Sequence, residues 1–117
     1  EWHYYVNGTV RRESERDIKY LDSIINFAGI NNVELVALNI PQRKEYYSAI
    51  PESIKRKYKE IRMSLIERDI RMIDLLEMEL DSSSFANHDH LSNEGAEIIS
   101  KIVSDSLSIW ESSKVSH

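Results

Sequence analysis

VELVALNI, residues 33–40, is the segment that most strongly indicates the fold, because it is a nearly continuous apolar run with β-branched residues. Pro41 ends the run, since proline has no N–H to donate to a neighbouring strand. Such runs are typical of strands buried on both faces, as in parallel sheets that helices cover. The segment therefore predicts a buried strand over residues 33–40.

Amphipathic patterns on both sides of this strand predict helices. Before it, from about residue 12 to residue 28, apolar residues recur at helical spacing, and Gly29 stands where a left-handed C-cap is expected. After it, Pro51 suits the first turn of a second helix. The apolar positions are Ile18, Leu21, Ile25 and Ala28 in the first helix, and Ile54, Tyr58, Ile61 and Leu65 in the second.

A second strand and a third helix complete the pattern. IRMIDLLE, residues 70–77, predicts another short buried strand, and Ser92 is a suitable N-cap for a helix that runs to about Trp110. Alternation of helices and strands predicts an α/β fold with a parallel sheet. Two core strands are too few for a free-standing sheet, since three or more are usually needed. Either the N-terminal arm supplies further strands, or residues 12–117 are the C-terminal part of a larger α/β domain, or sheet edges pair between chains.

Residues 1–11 are predicted to form a separate arm or hairpin. In WHYYVNGTV, residues 2–10, aromatic and β-branched residues flank Asn7-Gly8. This dipeptide is favoured in two-residue hairpin turns, because both positions accept a positive φ.

Composition and charge exclude several classes of function. The 117 residues carry a net charge of −5 and have no basic block, so nucleic acid is not an expected partner. No apolar run approaches the roughly 18–20 residues that span a bilayer, so no membrane span is expected. The chain has no cysteine, which excludes thiolate zinc sites and a cysteine nucleophile.

The loop before the last helix, SSFANHDHLSNEGAEII over residues 83–99, carries the candidate chemistry. It follows the carboxyl end of the last strand, where open α/β sheets place their active sites. An imidazole serves as a general base near neutral pH because its unperturbed pKa is about 6.5. His90 is the candidate base. Three positions earlier, Asn87 can reach back across a turn to orient the ring. The adjacent Asp89 is a weaker candidate for this orienting role.

The pattern Phe85-x-Asn87-x-x-His90-Leu91-Ser92-x-x-Gly95-Ala96 resembles the last conserved block of the SGNH, or GDSL-like, hydrolase family. In that family the block supplies the acid and base of a Ser-His-Asp triad. The resemblance covers roughly residues 17–110 and is closest to cell-envelope members. It implies a three-layer α/β/α, flavodoxin-like parallel sheet. It also implies an esterase or O-acyltransferase that acts on acylated carbohydrate or a cell-envelope polymer outside the cytoplasm.

Two features depart from the family pattern. Position 87 is Asn instead of Asp, so it can accept a hydrogen bond but cannot offset the charge of an imidazolium. The family's nucleophilic serine stands in a Gly-Asp-Ser turn, and this sequence has no such turn. Asp22-Ser23 falls inside the first predicted helix, and residues 82–84 lack the strand-turn-helix setting of a nucleophile. We therefore expect this chain alone to be inactive.

Other residues and other interpretations complete the set of expectations. Tyr46 and Tyr47 follow the first strand and are candidates for lining a substrate groove, together with His88. The His88-x-His90 pair with Asp89 would need a third ligand from elsewhere to bind a metal, so no metal or other cofactor is expected. A competing interpretation is that the histidines are polar loop residues that accompany the helix cap. The alternative function is a non-catalytic α/β interaction module, which would form a homodimer through exposed sheet edges.

Overall fold

A computed structural model of the chain describes residues 5–6, 9–10, 15–87 and 90–115. The elements, in chain order, are β1 (Tyr5–Val6), β2 (Thr9–Val10), α1 (Glu15–Ile30), β3 (Val36–Asn39), α2 (Lys44–Ser48), α3 (Glu52–Glu67), β4 (Arg71–Asp74), a 3-10 helix (Ser82–Ser84) and α4 (Asn93–Val115). No helix of these described ranges combines the length and apolar character needed to cross a membrane.

The strands form two small sheets. β1 and β2 are antiparallel, with Tyr5 opposite Val10 and Val6 opposite Thr9, so the predicted hairpin pairing is confirmed. The connecting Asn7-Gly8 lies outside the described residues. β3 and β4 form a two-stranded parallel sheet. The chain is therefore a mixed helix and strand structure that is compatible with the predicted α/β class.

The chain divides into two compact units, and both β3 and β4 run from one unit into the other. Unit 1 comprises Glu1–Ala37 and Ile50–Met72, and unit 2 comprises Leu38–Ala49 and Ile73–His117. Within unit 1, an ion pair joins Asp22 Oδ1 of α1 to Nη1 of Arg68, the residue just after α3, at 2.8 Å. The buried apolar residues are Ala28, Ile50 and Leu65 in unit 1, and Pro41, Tyr46, Ile73, Phe85 and Ile99 in unit 2. The predicted division at residue 11 stays a prediction.

The end of α1 differs from the prediction, because Gly29 lies within the helix. The left-handed residue is Asn32, with φ of 55°. Its N–H donates to the Gly29 carbonyl at 3.3 Å, and the Val33 N–H donates to the Ala28 carbonyl at 2.8 Å. These two bonds define a Schellman cap. The predicted C-cap at Gly29 is therefore wrong by three positions.

The same cap ends α3. Asp69 has a φ of 58°. Its N–H donates to the Ile66 carbonyl at 3.0 Å, and the Ile70 N–H donates to the Leu65 carbonyl at 3.0 Å. Because Val33 and Ile70 complete the two caps, neither residue begins a strand. The predicted strands over residues 33–40 and 70–77 are therefore too long.

The remaining helices and β3 agree only in part with the sequence predictions. All four apolar positions predicted for α3 are buried or half-buried, which confirms that helix. The helix α2 was not predicted, since five residues are too few to establish a period. α4 continues to Val115, beyond the predicted end near Trp110. β3 is not buried on both faces, because Leu38 is 46% exposed.

Replacing Asp69 by glycine is expected to stabilise the protein by about 0.5–1 kcal/mol. Residue 69 needs a positive φ, which glycine adopts without the steric cost that a Cβ imposes. Urea unfolding of the two proteins measures the difference. Asp69→Ala is the matched control and is expected to destabilise, since alanine tolerates this conformation less well than aspartate. Equal effects of the two substitutions would contradict the cap assignment.

Candidate functional site

The loop between β4 and α4 is closed at its base by backbone bonds. Phe85 and Leu91 form an antiparallel bridge. Beside it, the Ser92 N–H donates to the Ser84 carbonyl at 2.9 Å. Ser84 and Phe85 are both buried. The two ends of the loop are bonded to each other, and the residues at one end are buried. The position of the His90 backbone is therefore fixed.

The Ser92 hydroxyl joins the loop to the first turn of α4. Its oxygen accepts the Gly95 N–H at 3.2 Å, which confirms the predicted N-cap. The same hydroxyl donates to the Ser83 carbonyl at 2.6 Å. The Ser92 hydroxyl therefore donates one hydrogen bond and accepts another, and so it connects α4 to the 3-10 helix.

Gly95 lies against the backbone of the same 3-10 helix. A Cβ built at this position would overlap the carbonyl oxygen of Ser84 and would stand 3.2 Å from Leu91 Cδ2. The glycine, which is buried, thus permits the close approach of α4 to the 3-10 helix. Gly95 and Ser92 together determine where α4 begins relative to the candidate loop.

Asn87 and His90 are brought together at the exposed end of the loop. The Asn87 Oδ1 atom accepts the backbone N–H of His90 at 3.0 Å. The same oxygen lies 2.8 Å from His90 Nδ1. The main-chain N–H identifies this side-chain atom as the oxygen of the amide, because a nitrogen there could not accept the bond.

This geometry assigns the tautomer of the ring. Since the Asn87 oxygen can only accept, His90 Nδ1 must carry the proton, and Nε2 is then the basic nitrogen. A side chain that holds one ring nitrogen is the arrangement by which a general base is oriented. The partner is a neutral amide, so it orients the ring without offsetting the charge of an imidazolium.

Replacing Asn87 by alanine is expected to shift the neutral His90 ring from the Nδ1–H tautomer towards the Nε2–H tautomer. The substitution removes the acceptor that selects Nδ1–H. The 15N chemical shifts of the ring, recorded at about pH 9 where imidazoles are neutral, measure this ratio. Asn93→Ala, an exposed amide in the same segment, is the control and should leave it unchanged. A ring that is mainly Nε2–H in the unsubstituted protein would contradict the assignment.

Two of the predicted site residues, His88 and Asp89, lie outside the described residues. The roles suggested for them, as substrate-binding residue, alternative acid or metal ligand, stay predictions. Among the residues that the structure does describe, no three His, Asp or Glu side chains are grouped as a metal site would require.

The two candidate tyrosines occupy different environments in α2. Tyr46 is only 3% exposed, so it packs in the core and does not line a groove as was suggested. Tyr47 lines a groove of about 410 Å³ together with Gln42, Leu76, Glu77 and Met78. Its hydroxyl donates to Glu77 Oε1 at 2.7 Å. The sequence interpretation missed Glu77. Its position just after β4, at a carboxyl strand end, was the available signal.

No protein-family model, curated protein or solved structure gives a significant match to this chain. The geometry of the loop and the motif that it contains are therefore the features that bear on function.

Proposed function

We propose that this chain is the C-terminal portion of an SGNH-like esterase or O-acyltransferase domain, in which His90 is the general base. The observation that carries the proposal is the 2.8 Å contact between Asn87 Oδ1 and His90 Nδ1 on the loop after the last strand. It orients the ring so that Nε2 is available as the basic nitrogen. The motif around this pair supports the family assignment.

In the proposed reaction, His90 Nε2 removes the proton of a serine hydroxyl as that oxygen attacks the carbonyl carbon of an ester. The tetrahedral intermediate collapses, and the imidazolium returns the proton to the leaving alcohol. Water then attacks the acyl-serine in a hydrolase, or a carbohydrate hydroxyl attacks it in a transferase. His90 removes the proton of that nucleophile and returns it to the serine oxygen.

The serine is proposed to come from a part of the protein outside residues 1–117. The serines considered from the sequence have other roles here. Ser23 lies within α1 and donates to the Lys19 carbonyl at 2.9 Å. Ser84 is buried in the 3-10 helix. Neither stands on the exposed turn between a strand and a helix that a nucleophile of this type needs.

An apolar groove in unit 2 supports the view that the sheet continues beyond β3. The groove has a volume of about 690 Å³ and lies between Leu38 of β3 and the α4 side chains Ile99, Val103 and Leu107. Within the described residues, β3 pairs only with β4. We propose that a preceding strand of a flavodoxin-like sheet pairs with β3 and fills this groove, since a two-stranded sheet is not stable alone.

The proposed substrate is an acylated carbohydrate or cell-envelope polymer, which would place the enzyme outside the cytoplasm. The groove beside Tyr47 suits such a ligand, because an aromatic face packs on a sugar ring while Glu77 accepts hydroxyl hydrogen bonds.

The coding sequence upstream of the Glu1 codon is the first test. The proposal expects about a hundred further residues with a strand followed by a Gly-Asp-Ser turn. A fluorophosphonate probe should then label that serine in the full-length protein. A start codon just upstream of Glu1, or a full-length protein that the probe does not label, would overturn the proposal.

The alternative is a non-catalytic α/β module that self-associates through its sheet edges. Among the described strands, each strand of the parallel sheet has a single neighbour, which favours edge pairing. The alternative predicts no ester hydrolysis, and it predicts that charged substitutions on β3, such as Leu38→Lys, abolish association.

A further inference from the structure

Arg43 carries a half-buried guanidinium between β3 and α2. Its Nε atom is buried, and no described residue offers this atom a hydrogen-bond acceptor. Within the part of the chain that the structure describes, no acidic side chain forms an ion pair with Arg43 either. By contrast, Arg68 is paired with Asp22, and Arg71 is paired with Glu34. A cation that is partly withdrawn from water without a paired anion is costly, so an unpaired Arg43 requires an explanation.

The Arg43 side chain is held beside the candidate loop. Its guanidinium carbon stands 6.0 Å from the centroid of the Phe85 ring. Phe85 is buried and forms the bridge to Leu91 at the base of the loop. Two positions after Phe85 comes Asn87, whose side chain orients His90. Because an aromatic ring restricts the planar fork of a guanidinium that lies over it, the Arg43 fork is oriented before any ligand binds.

The position of Arg43 in the sheet is that of a ligand-binding residue. β3 ends at Asn39, four residues before Arg43, and β4 ends at Asp74, before the loop that contains His90. Both segments therefore follow the carboxyl ends of neighbouring parallel strands. Open α/β sheets bind their ligands at this edge. Arg43 and His90 are thus placed at the same edge of the sheet.

We infer that Arg43 binds an anionic group of the substrate, a carboxylate or a phosphate, while the ester bond lies at His90. A guanidinium matches both kinds of oxyanion, because two parallel N–H groups donate to two oxygens. Because it names a substrate, this role rests on the proposed function. It narrows the substrate from acylated carbohydrate in general to an acylated acidic carbohydrate, which is a uronate or a sugar phosphate.

Hydrolysis of matched acetyl esters by the full-length protein tests this role. The esters are mono-acetylated methyl glucoside, methyl glucuronoside and glucose 6-phosphate, which are neutral, a carboxylate and a phosphate. At least one acidic ester should exceed the neutral ester in kcat/KM by about tenfold or more, since charge-assisted hydrogen bonds are among the strong ones. The acidic ester that is preferred identifies the anion.

The competing explanation is that Arg43 only packs its aliphatic stem on Phe85. Arg43→Met separates the two explanations, because methionine keeps an unbranched stem but has no charge. This variant should lower the acidic-to-neutral ratio of kcat/KM to about one, whereas Arg43→Lys, which keeps the charge without the fork, should retain part of the preference. Arg56→Met, an exposed change on α3, is the matched control and should keep the ratio. Loss of kcat/KM in equal proportion for all three esters in Arg43→Met would overturn the inference in favour of packing.

A binding measurement on the same protein needs no ester cleavage. The NMR signal of the Arg43 Nε–H group, identified by its loss in Arg43→Met, should shift with glucuronate or methyl phosphate at constant ionic strength, and not with glucose. The Nε–H signal of Arg68, which is already paired with Asp22, is the internal control and should not move.

The two measurements distinguish failure of this inference from failure of the proposed function. A saturable shift of the Arg43 signal without hydrolysis of any ester would support the anion site and contradict the proposed enzyme. Hydrolysis without a preference for an acidic ester would overturn the inference and leave the enzyme standing. Neither hydrolysis nor a shift would overturn both.

Discussion

Replacing His90 by alanine in the full-length protein is expected to lower kcat for ester cleavage by about 10²–10⁴-fold. The substitution removes the nitrogen that we propose as the acceptor of the serine proton. KM should change little, because the ring is proposed to act on the nucleophile and not on substrate binding. Steady-state hydrolysis of an activated acetyl ester measures both constants. Loss of labelling by a fluorophosphonate probe should accompany the loss of kcat, since both need the activated serine.

Asn87→Asp in the same protein separates the role of the ring from that of its partner. A carboxylate oxygen can take the place of Oδ1, which accepts from the main chain at 3.0 Å and lies 2.8 Å from Nδ1. A carboxylate would offset the positive charge that the ring gains in the transition state, which is worth roughly 1–1.5 kcal/mol, so kcat is expected to rise about tenfold. Lys101→Ala, an exposed change on α4, is the control that should leave activity unaltered. Unchanged activity in His90→Ala would show that His90 is not the base.

Alanine substitutions at two helical glycines are expected to change stability in opposite directions. Gly95→Ala should destabilise by about 1–3 kcal/mol, because its Cβ would overlap the Ser84 carbonyl and force the 3-10 helix to move. Gly29→Ala should stabilise by about 0.5–1 kcal/mol. Apart from its chain neighbours and the backbone of its own helix, no atom lies within 4 Å of the Cβ built at Gly29, so only the helix propensity of alanine acts there.

The free energies of unfolding in urea compare these two variants directly. Both variants replace a helical glycine by alanine, and they differ only in the atoms that surround the added Cβ. If Gly95→Ala were neutral or stabilising, α4 would not be packed against the 3-10 helix as described. The Asn87–His90 contact at the end of the loop would then also lack its support.

Local interactions were the part of the structure that could be read before the fold was known. The hairpin, the presence of α1, α3 and α4 and the cap at Ser92 depend on residues close together in the chain. The Asn87–His90 contact belongs to this class, since it spans three positions. Even so, the end of α1 was misplaced, because Asn32 adopts the left-handed conformation that the sequence interpretation assigned to Gly29.

The sequence by itself determined the alternation of helices and strands and the local pairing of an amide with a histidine, because periodicity and turns act over a few residues. Tertiary structure alone decided that Tyr46 is buried while Tyr47 meets Glu77, thirty residues away. It also decided that Gly95 touches Ser84 and that one face of α1 stays exposed. These features depend on which distant surfaces pack together. An apolar pattern identifies a hydrophobic face, but it does not show what packs against that face.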